Sequence, residues 1–271
     1  MRKSKRKTAT AKRSTKKKPR AKSLAKAKAR EAQKEQSEFD VEEYIKGKIE
    51  ELNKGLLFSP EWVGSTLSMI APENAEWLPT TQAQVLKIDN FLSKEECENI
   101  IKVCTPHLRP STITSGEADF RTSKTSDMAS MPSPEEIKTT VDLDVKICNA
   151  MNIHPLHAEG SQFQYYQAGE FFKPHTDFFE PGTAEYEEHA KELGQRTWTF
   201  MIFLNEPEQG GETEFMNIRN ATITPKTGMA LAWNNLNQDG TVNRDTLHQG
   251  KMVSKGHKAI VTKWFRDKRP V

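Results

Sequence analysis

His175-Thr176-Asp177 sets an imidazole and a carboxylate two positions apart, and His248 adds a second imidazole 73 residues after the first. Two imidazoles and one carboxylate can occupy one face of a divalent iron and leave three positions open, which suits reaction at the metal better than a closed structural site. At the end of a strand and its turn, residues i and i+2 of such a pair converge on one cation. His248 is expected to return on a strand at the far side of a barrel. Lys258, 10 residues beyond His248, offers an ammonium that could hold the distal carboxylate of an oxo-acid bound at such a metal. A His-x-Asp pair alone carries little information; the ordered set of four carries much more.

These residues need rigid elements to bring them together. Short β-rich runs at Phe163–Tyr166, Thr197–Leu204, Glu212–Phe215, Ala221–Thr224, Met229–Trp233 and Lys258–Trp264 are separated by Gly, Pro and Asn turns. That rhythm predicts an antiparallel sandwich or jelly roll. An opening strand is expected at 84–88. Ser93-Lys94-Glu95-Glu96 is a capping box that starts a helix reaching about Val103, and Ser133-Pro134-Glu135-Glu136 starts a second, through about Asn149. Upstream, Val41, Tyr44, Ile45, Ile49 and Leu52 recur at helical spacing and form one apolar stripe, expected to dock on the body.

Charge divides the chain. Of its 40 Lys and Arg, 15 lie in residues 1–30, which hold no acid; the remainder carries 25 against 37 Asp and Glu, a net of −12. The basic stretch cannot bury enough apolar surface to fold and is expected to be disordered. It offers a sequence-independent contact to nucleic acid or another polyanion. The expected organisation is a disordered Lys/Arg-rich tail over 1–30, an amphipathic helix and connector over 31–82, and a catalytic domain over 83–271. No apolar run suits a membrane span, and the N-terminus lacks the apolar core of a secretory signal. Three cysteines without CxxC spacing fit a reducing compartment. A cytoplasmic protein is expected, or a nuclear one in a nucleated cell.

The segments Ile88-Asp89-Asn90-Phe91-Leu92-Ser93, Arg121-Thr122-Ser123, Tyr166-Gln167-Ala168-Gly169-Glu170, Pro174-His175-Thr176-Asp177, Gly210-Gly211-Glu212-Thr213, His248-Gln249-Gly250 and Lys258 through Lys263-Trp264 occur in one order. Together they resemble the 2-oxoglutarate- and Fe(II)-dependent dioxygenase superfamily and, within it, the prolyl 4-hydroxylase catalytic domain, over residues 83–266. The resemblance implies a mainly β fold with flanking helices (α+β) around a double-stranded β-helix, the jelly-roll core. It implies Fe(II) on His175, Asp177 and His248, with 2-oxoglutarate and O2 as cosubstrates and ascorbate as reductant. Lys258 would hold the distal carboxylate of 2-oxoglutarate, with Tyr166 and Thr213 as hydroxyl donors. A proline-containing protein or peptide would lie across the barrel mouth, touching Arg121, Ser123, Glu159 and Arg196, with Trp264 lining the site. The cosubstrate would be oxidatively decarboxylated to succinate and CO2.

Plainer readings exist for several of these residues. Tyr166 and Thr213 could be ordinary barrel core, and Arg121, Ser123, Glu159 and Arg196 plain surface or ion-pair residues. His154 and His157 lack a third ligand nearby and are read as loop residues. Three other functions compete: hydroxylation of another side chain or of a free amino acid, oxidative demethylation of nucleic acid guided by the basic tail, and an inert barrel on a packaging protein. The intact metal set with Lys258 disfavours the last.

Overall fold

Trp198, Phe200 and Ile202 pack into one apolar cluster, whereas Met201 and Phe203, interleaved with them, pack into another. The two-residue period of a strand produces that split. It makes this strand a partition between two cores, one under helices and one between sheets. The computed structural model describes residues 39–55, 74–112, 120–219 and 221–268. The basic stretch 1–30 lies outside the described residues, as do 31–38 and 56–73 of the expected helix and connector.

In chain order the first elements are helix α1 (Val41–Gly55), strands β1 (Ala75–Trp77) and β2 (Val85–Ile88), and helix α2 (Lys94–Cys104). Strands β3 (Arg109–Pro110) and β4 (Lys124–Asp127) precede helix α3 (Pro134–Met151). Then come β5 (Gln162–Gln167), β6 (Phe172–His175), helix α4 (Ala184–His189) and β7 (Arg196–Phe203). The remaining strands are β8 (Gln209–Gly210), β9 (Thr213–Phe215), β10 (Thr222–Ile223), β11 (Ala230–Asn234), β12 (His248–Gly250), β13 (Val253–Lys255) and β14 (His257–Arg266).

Eight strands form one sheet in the order β1-β2-β11-β7-β14-β5-β4-β3, and four form a second in the order β10-β9-β12-β6. All pairings are antiparallel, and the two layers enclose the second apolar cluster, so the jelly roll is present with its helices outside. The large sheet begins at β1, within the stretch read from sequence as connector, because Ala75–Trp77 pairs with β2.

Both capping boxes form: the hydroxyls of Ser93 and Ser133 accept from the backbone N–H of Glu96 and Glu136, whose carboxylates accept from the serine N–H in return. Helix α1 docks on α3. Leu52 is fully buried, Tyr44 donates its hydroxyl proton to Asp142 Oδ1 at 2.5 Å, and Lys48 pairs with the same carboxylate at 3.3 Å. Cys97, Cys104 and Cys148 are free and buried in the helical layer. Burial pushes their thiols up, Cys97 to about 11 and the other two to about 12. No helix among the described residues is long and apolar enough to cross a membrane.

The turn before β11 locks this layer to the sheet. Leu92 N donates to Gly228 O at 3.0 Å, and Gly228 has φ +78° with Leu92 O only 2.1 Å from where a Cβ would stand. Gly228→Ala meets both a left-handed backbone and a backbone clash, so it should destabilise the protein by at least about 2 kcal/mol. Urea unfolding followed by circular dichroism measures this; an unchanged midpoint would show that the contact does not constrain the fold.

Candidate active site

Strand β6 ends at His175 and β12 begins at His248, and the two strands pair so that these residues face each other in register. His248 therefore returns on the strand adjacent to His175, and not across the barrel as the sequence spacing suggested. With Asp177, one residue past the strand's turn, they bring one ligand atom each within 4.8 Å of one another. Their imidazole centroids are 4.3 Å apart.

The hydrogen bonds fix which atoms remain. His175 Nδ1 donates to Lys173 O at 2.8 Å and His248 Nδ1 to Thr246 O at 2.9 Å. A proton held at Nδ1 leaves the lone pair of Nε2 for a metal. Burial, with His248 beside it, pushes the His175 imidazole well below its ordinary value, which favours the neutral ligand form. Burial works against the Asp177 carboxylate, yet His248 and His175 hold it below its ordinary value, so it stays ionised.

One carboxylate oxygen is already taken. Thr199 Oγ1 donates to Asp177 Oδ2 at 2.6 Å and accepts from Asn235 Nδ2 at 3.0 Å. Oδ1, 4.0 Å from His175 Nε2, is left to face the same point in space. Both supporting residues are fully buried. Sequence reasoning missed them, because a Thr inside a buried strand and an Asn after another look like ordinary structure until the strands are paired.

The three groups line a cavity of about 730 Å³ together with Tyr166, Met201, Thr213, Trp233, Lys258 and Thr262. Lys258 is 3% exposed, and no carboxylate lies within ion-pair distance of its ammonium among the described residues. Its neighbours are rings: Nζ stands 5.4 Å from the Phe203 centroid and 5.6 Å from that of Tyr166. Burial drives its pKa down to about 7, with Glu212 pulling the other way. Thr213 is buried in the same wall. Tyr166 donates its hydroxyl proton to Gln164 Oε1 at 2.9 Å, and Gln164 Nε2 donates to Gln162 Oε1 and Thr262 Oγ1 at 3.2 and 3.1 Å. This amide ladder was also missed from sequence.

Toward the mouth, Arg121, Glu159, Arg196 and Trp264 line the cavity. Arg196 lies over the Trp264 ring at 4.1 Å and forks onto Glu159, with Nε and Nη2 donating to its two oxygens at 2.6 and 2.8 Å. Arg266 donates to Glu159 as well, at 2.7 Å. Burial opposes ionisation of Glu159, but the two arginines hold it below its ordinary value. Ser123 stands behind the wall, buried, accepting from Arg121 Nε at 2.8 Å.

Comparison with known proteins matches residues 161–266 to the 2OG-Fe(II) oxygenase superfamily. Prolyl 4-hydroxylase 13 of Arabidopsis thaliana is 31% identical over 220 residues, covering 75% of this chain and 77% of the plant protein. The chain belongs to the 2OG-Fe(II) oxygenase superfamily, of prolyl 4-hydroxylase type. Prolyl 4-hydroxylase subunit alpha-3 of Mus musculus is 32% identical over 183 residues, which is 66% of this chain and 33% of that subunit. Among solved structures, the 2OG complex of a viral collagen prolyl hydroxylase from Paramecium Bursaria Chlorella virus-1 superposes with a TM-score of 0.50 at 26% identity, covering 67% of this chain and 95% of the viral one. The oxygenase is thus a 2-oxoglutarate-dependent dioxygenase whose cofactors are Fe(II), 2-oxoglutarate and O2. Its donor set fits that metal, since two neutral Nε2 lone pairs and one free carboxylate oxygen converge from buried, hydrogen-bonded side chains.

The Thr199 bond gives a measurable expectation. Thr199→Val keeps the shape and removes the donor, so Fe(II) affinity should fall by about 10- to 100-fold while the fold persists. Metal titration and circular dichroism separate the two; wild-type affinity would exclude a positioning role for Thr199. Lys258 gives a second. With its pKa near 7, it is largely neutral above that pH in the free protein, and an incoming carboxylate must draw a proton onto it. Affinity for 2-oxoglutarate should therefore fall as pH rises above about 7, by up to roughly ten-fold per unit. Lys258→Arg, charged throughout, should flatten that slope in anaerobic calorimetry; a wild-type profile flat from pH 7 to 9 would rule the linkage out.

Proposed function

We propose that this oxygenase hydroxylates a proline residue in a protein or peptide, with His175, Asp177 and His248 holding the iron and Lys258 holding the distal carboxylate of 2-oxoglutarate. The observation that carries the reading is the Lys258 side chain, buried in the cavity the metal ligands share with no carboxylate within ion-pair distance among the described residues. A buried cation demands a counter-charge, and a dicarboxylate chelated at the metal would deliver one. Bound there, iron and 2-oxoglutarate supply the O2-dependent oxidation of a C–H bond, the cosubstrate leaving as succinate and CO2. Thr213, beside Lys258, and Tyr166, once released from Gln164, offer hydroxyl protons to the same carboxylate. The rings of Phe172, Trp233 and Phe215 around the imidazoles keep water from the reacting centre.

The proline assignment draws on the relatives named as prolyl 4-hydroxylases. Arg121 and the Arg196–Glu159 pair, stacked on Trp264, would flank the peptide, with Ser123 steadying Arg121 from behind. Free, buried thiols support a substrate inside the cell, and ascorbate suits the role of reductant. On charge alone, residues 1–30 offer a polyanion contact whose strength would fall with salt.

His175→Ala and Asp177→Ala should each abolish turnover while the jelly roll stays folded. Loading with Fe(II) and 2-oxoglutarate without oxygen, then admitting O2 to proline-containing peptides, tests the whole reading. The expected result is one added oxygen on proline with equal succinate. Succinate accompanied by oxygen on another residue would move the substrate class, and full activity in either variant would overturn the metal assignment.

A further inference from the structure

The two arginines in the cavity wall differ in how their charge is spent. Arg196 is paired by its fork onto Glu159, a carboxylate it shares with Arg266. Arg121 meets only neutral acceptors: Nε donates to Ser123 Oγ at 2.8 Å, and Nη2 to Thr125 Oγ1 at 3.2 Å and Gln162 Oε1 at 3.4 Å. Nη1 makes one long bond, 3.5 Å to the same Gln162 oxygen. Among the described residues no carboxylate stands within ion-pair distance of this guanidinium. Asp127, the acid on the neighbouring strand β4, is engaged by Ala129 N and the Ser130 hydroxyl. Exposed Arg109, in the same cavity wall, adds positive potential.

Arg121 is also held in place. Its Cζ lies 4.9 Å from the Phe172 centroid, and Phe172 stacks on the His175 ring at 3.6 Å. Those two legs place the guanidinium within about 8.5 Å of a metal-ligand ring. An extended chain advances about 3.3–3.6 Å per residue, so a substrate carbon at the metal and a side chain at Arg121 are separated by roughly two residues. A half-buried guanidinium with one N–H of Nη1 unspent and two long bonds to Gln162, at 3.4 and 3.5 Å, is suited to a planar carboxylate, which would displace the Gln162 oxygen and take two charge-assisted bonds in its place.

We propose that Arg121 is a receptor for a carboxylate of the peptide, carried by an Asp or Glu within about two residues of the target proline. The inference rests on the prolyl reading above and adds the charge of the sequence that the oxygenase selects. Lys258 serves a different anion, deeper in the cavity, and Arg196 is already paired, so among the described residues Arg121 is the half-buried cation available to the substrate, with exposed Arg109 beside it in the wall.

A peptide panel tests it. One proline context is varied by placing Glu, or its neutral isostere Gln, in turn at each of the two positions on either side of the proline. Mass spectrometry follows oxygen gain and gives kcat/KM. At the best position Glu should exceed Gln by at least about ten-fold, as expected for a charge-assisted contact. The preference should shrink as salt rises. Arg121→Gln should bring the ratio to one, and Arg121→Glu should turn it toward Lys-bearing peptides. Binding of 2-oxoglutarate by each variant reports an intact cavity. Glu and Gln peptides hydroxylated equally by the wild-type protein would overturn the inference and leave the prolyl reading standing, as would a preference that survives in Arg121→Gln. Absence of hydroxylation on every peptide, with succinate still formed, would overturn the prolyl reading and the inference together.

Discussion

Antiparallel pairing of β6 with β12 is the constraint on which the site depends. Strand pairing fixes register, and register here sets one histidine opposite another with their rings on the same side. A slip of one residue would turn one imidazole to the opposite face of the small sheet. Little of that small sheet is long: β9 and β12 have three residues each and β6 four. Its order comes from ring packing within and across the layers: Trp233 of the large sheet and Phe215 of the small one press on His248, and Phe172, on the same strand as His175, lies flat on that ring. The large sheet thus reaches the metal site through β7, whose Thr199 and Arg196 donate to Asp177, and through β11, whose Trp233 packs on His248.

Burial does two kinds of work in the cavity. It favours the neutral form of the His175 imidazole, whose lone pair is then available to a metal. It also strands an ammonium at Lys258 whose charged form is disfavoured until an anion arrives. At the mouth a different solution holds: Arg196 and Arg266 share the Glu159 carboxylate, and Lys263, almost fully buried, pairs with Asp144 at 2.9 Å while donating to Glu159 O. Charges that serve structure are paired within the chain, and those left unpaired face the space a ligand would fill.

Much of this was legible in the sequence. The helices declared themselves through capping boxes at Ser93 and Ser133, and the long strands through apolar runs. His175, Asp177, His248 and Lys258 stood out because few other combinations of type and spacing suit one cation and one dicarboxylate. Strands of two or three residues, such as β3, β8, β12 and β13, cannot show a period, and α4 lies in a polar segment without one. Thr199, Asn235, Gln162 and Gln164 escaped notice for a related reason. Their roles arise from side chains 22 to 36 positions apart, or from neighbours two apart on one face, that meet only after the sheet has formed.

The amide ladder along β5 has a consequence of its own. Tyr166 has a single hydroxyl proton, and Gln164 holds it; Gln164 in turn donates to Gln162, whose oxygen also receives Arg121. A ligand that claims the Tyr166 proton at the cavity floor leaves the Gln164 oxygen without that donor, while the Gln164 amide nitrogen can keep its bonds to Gln162 and Thr262. At the rim, a ligand that draws Arg121 off Gln162 leaves that oxygen to the Gln164 amide, so each end of the row can give up one bond to a ligand while the middle of it stays made.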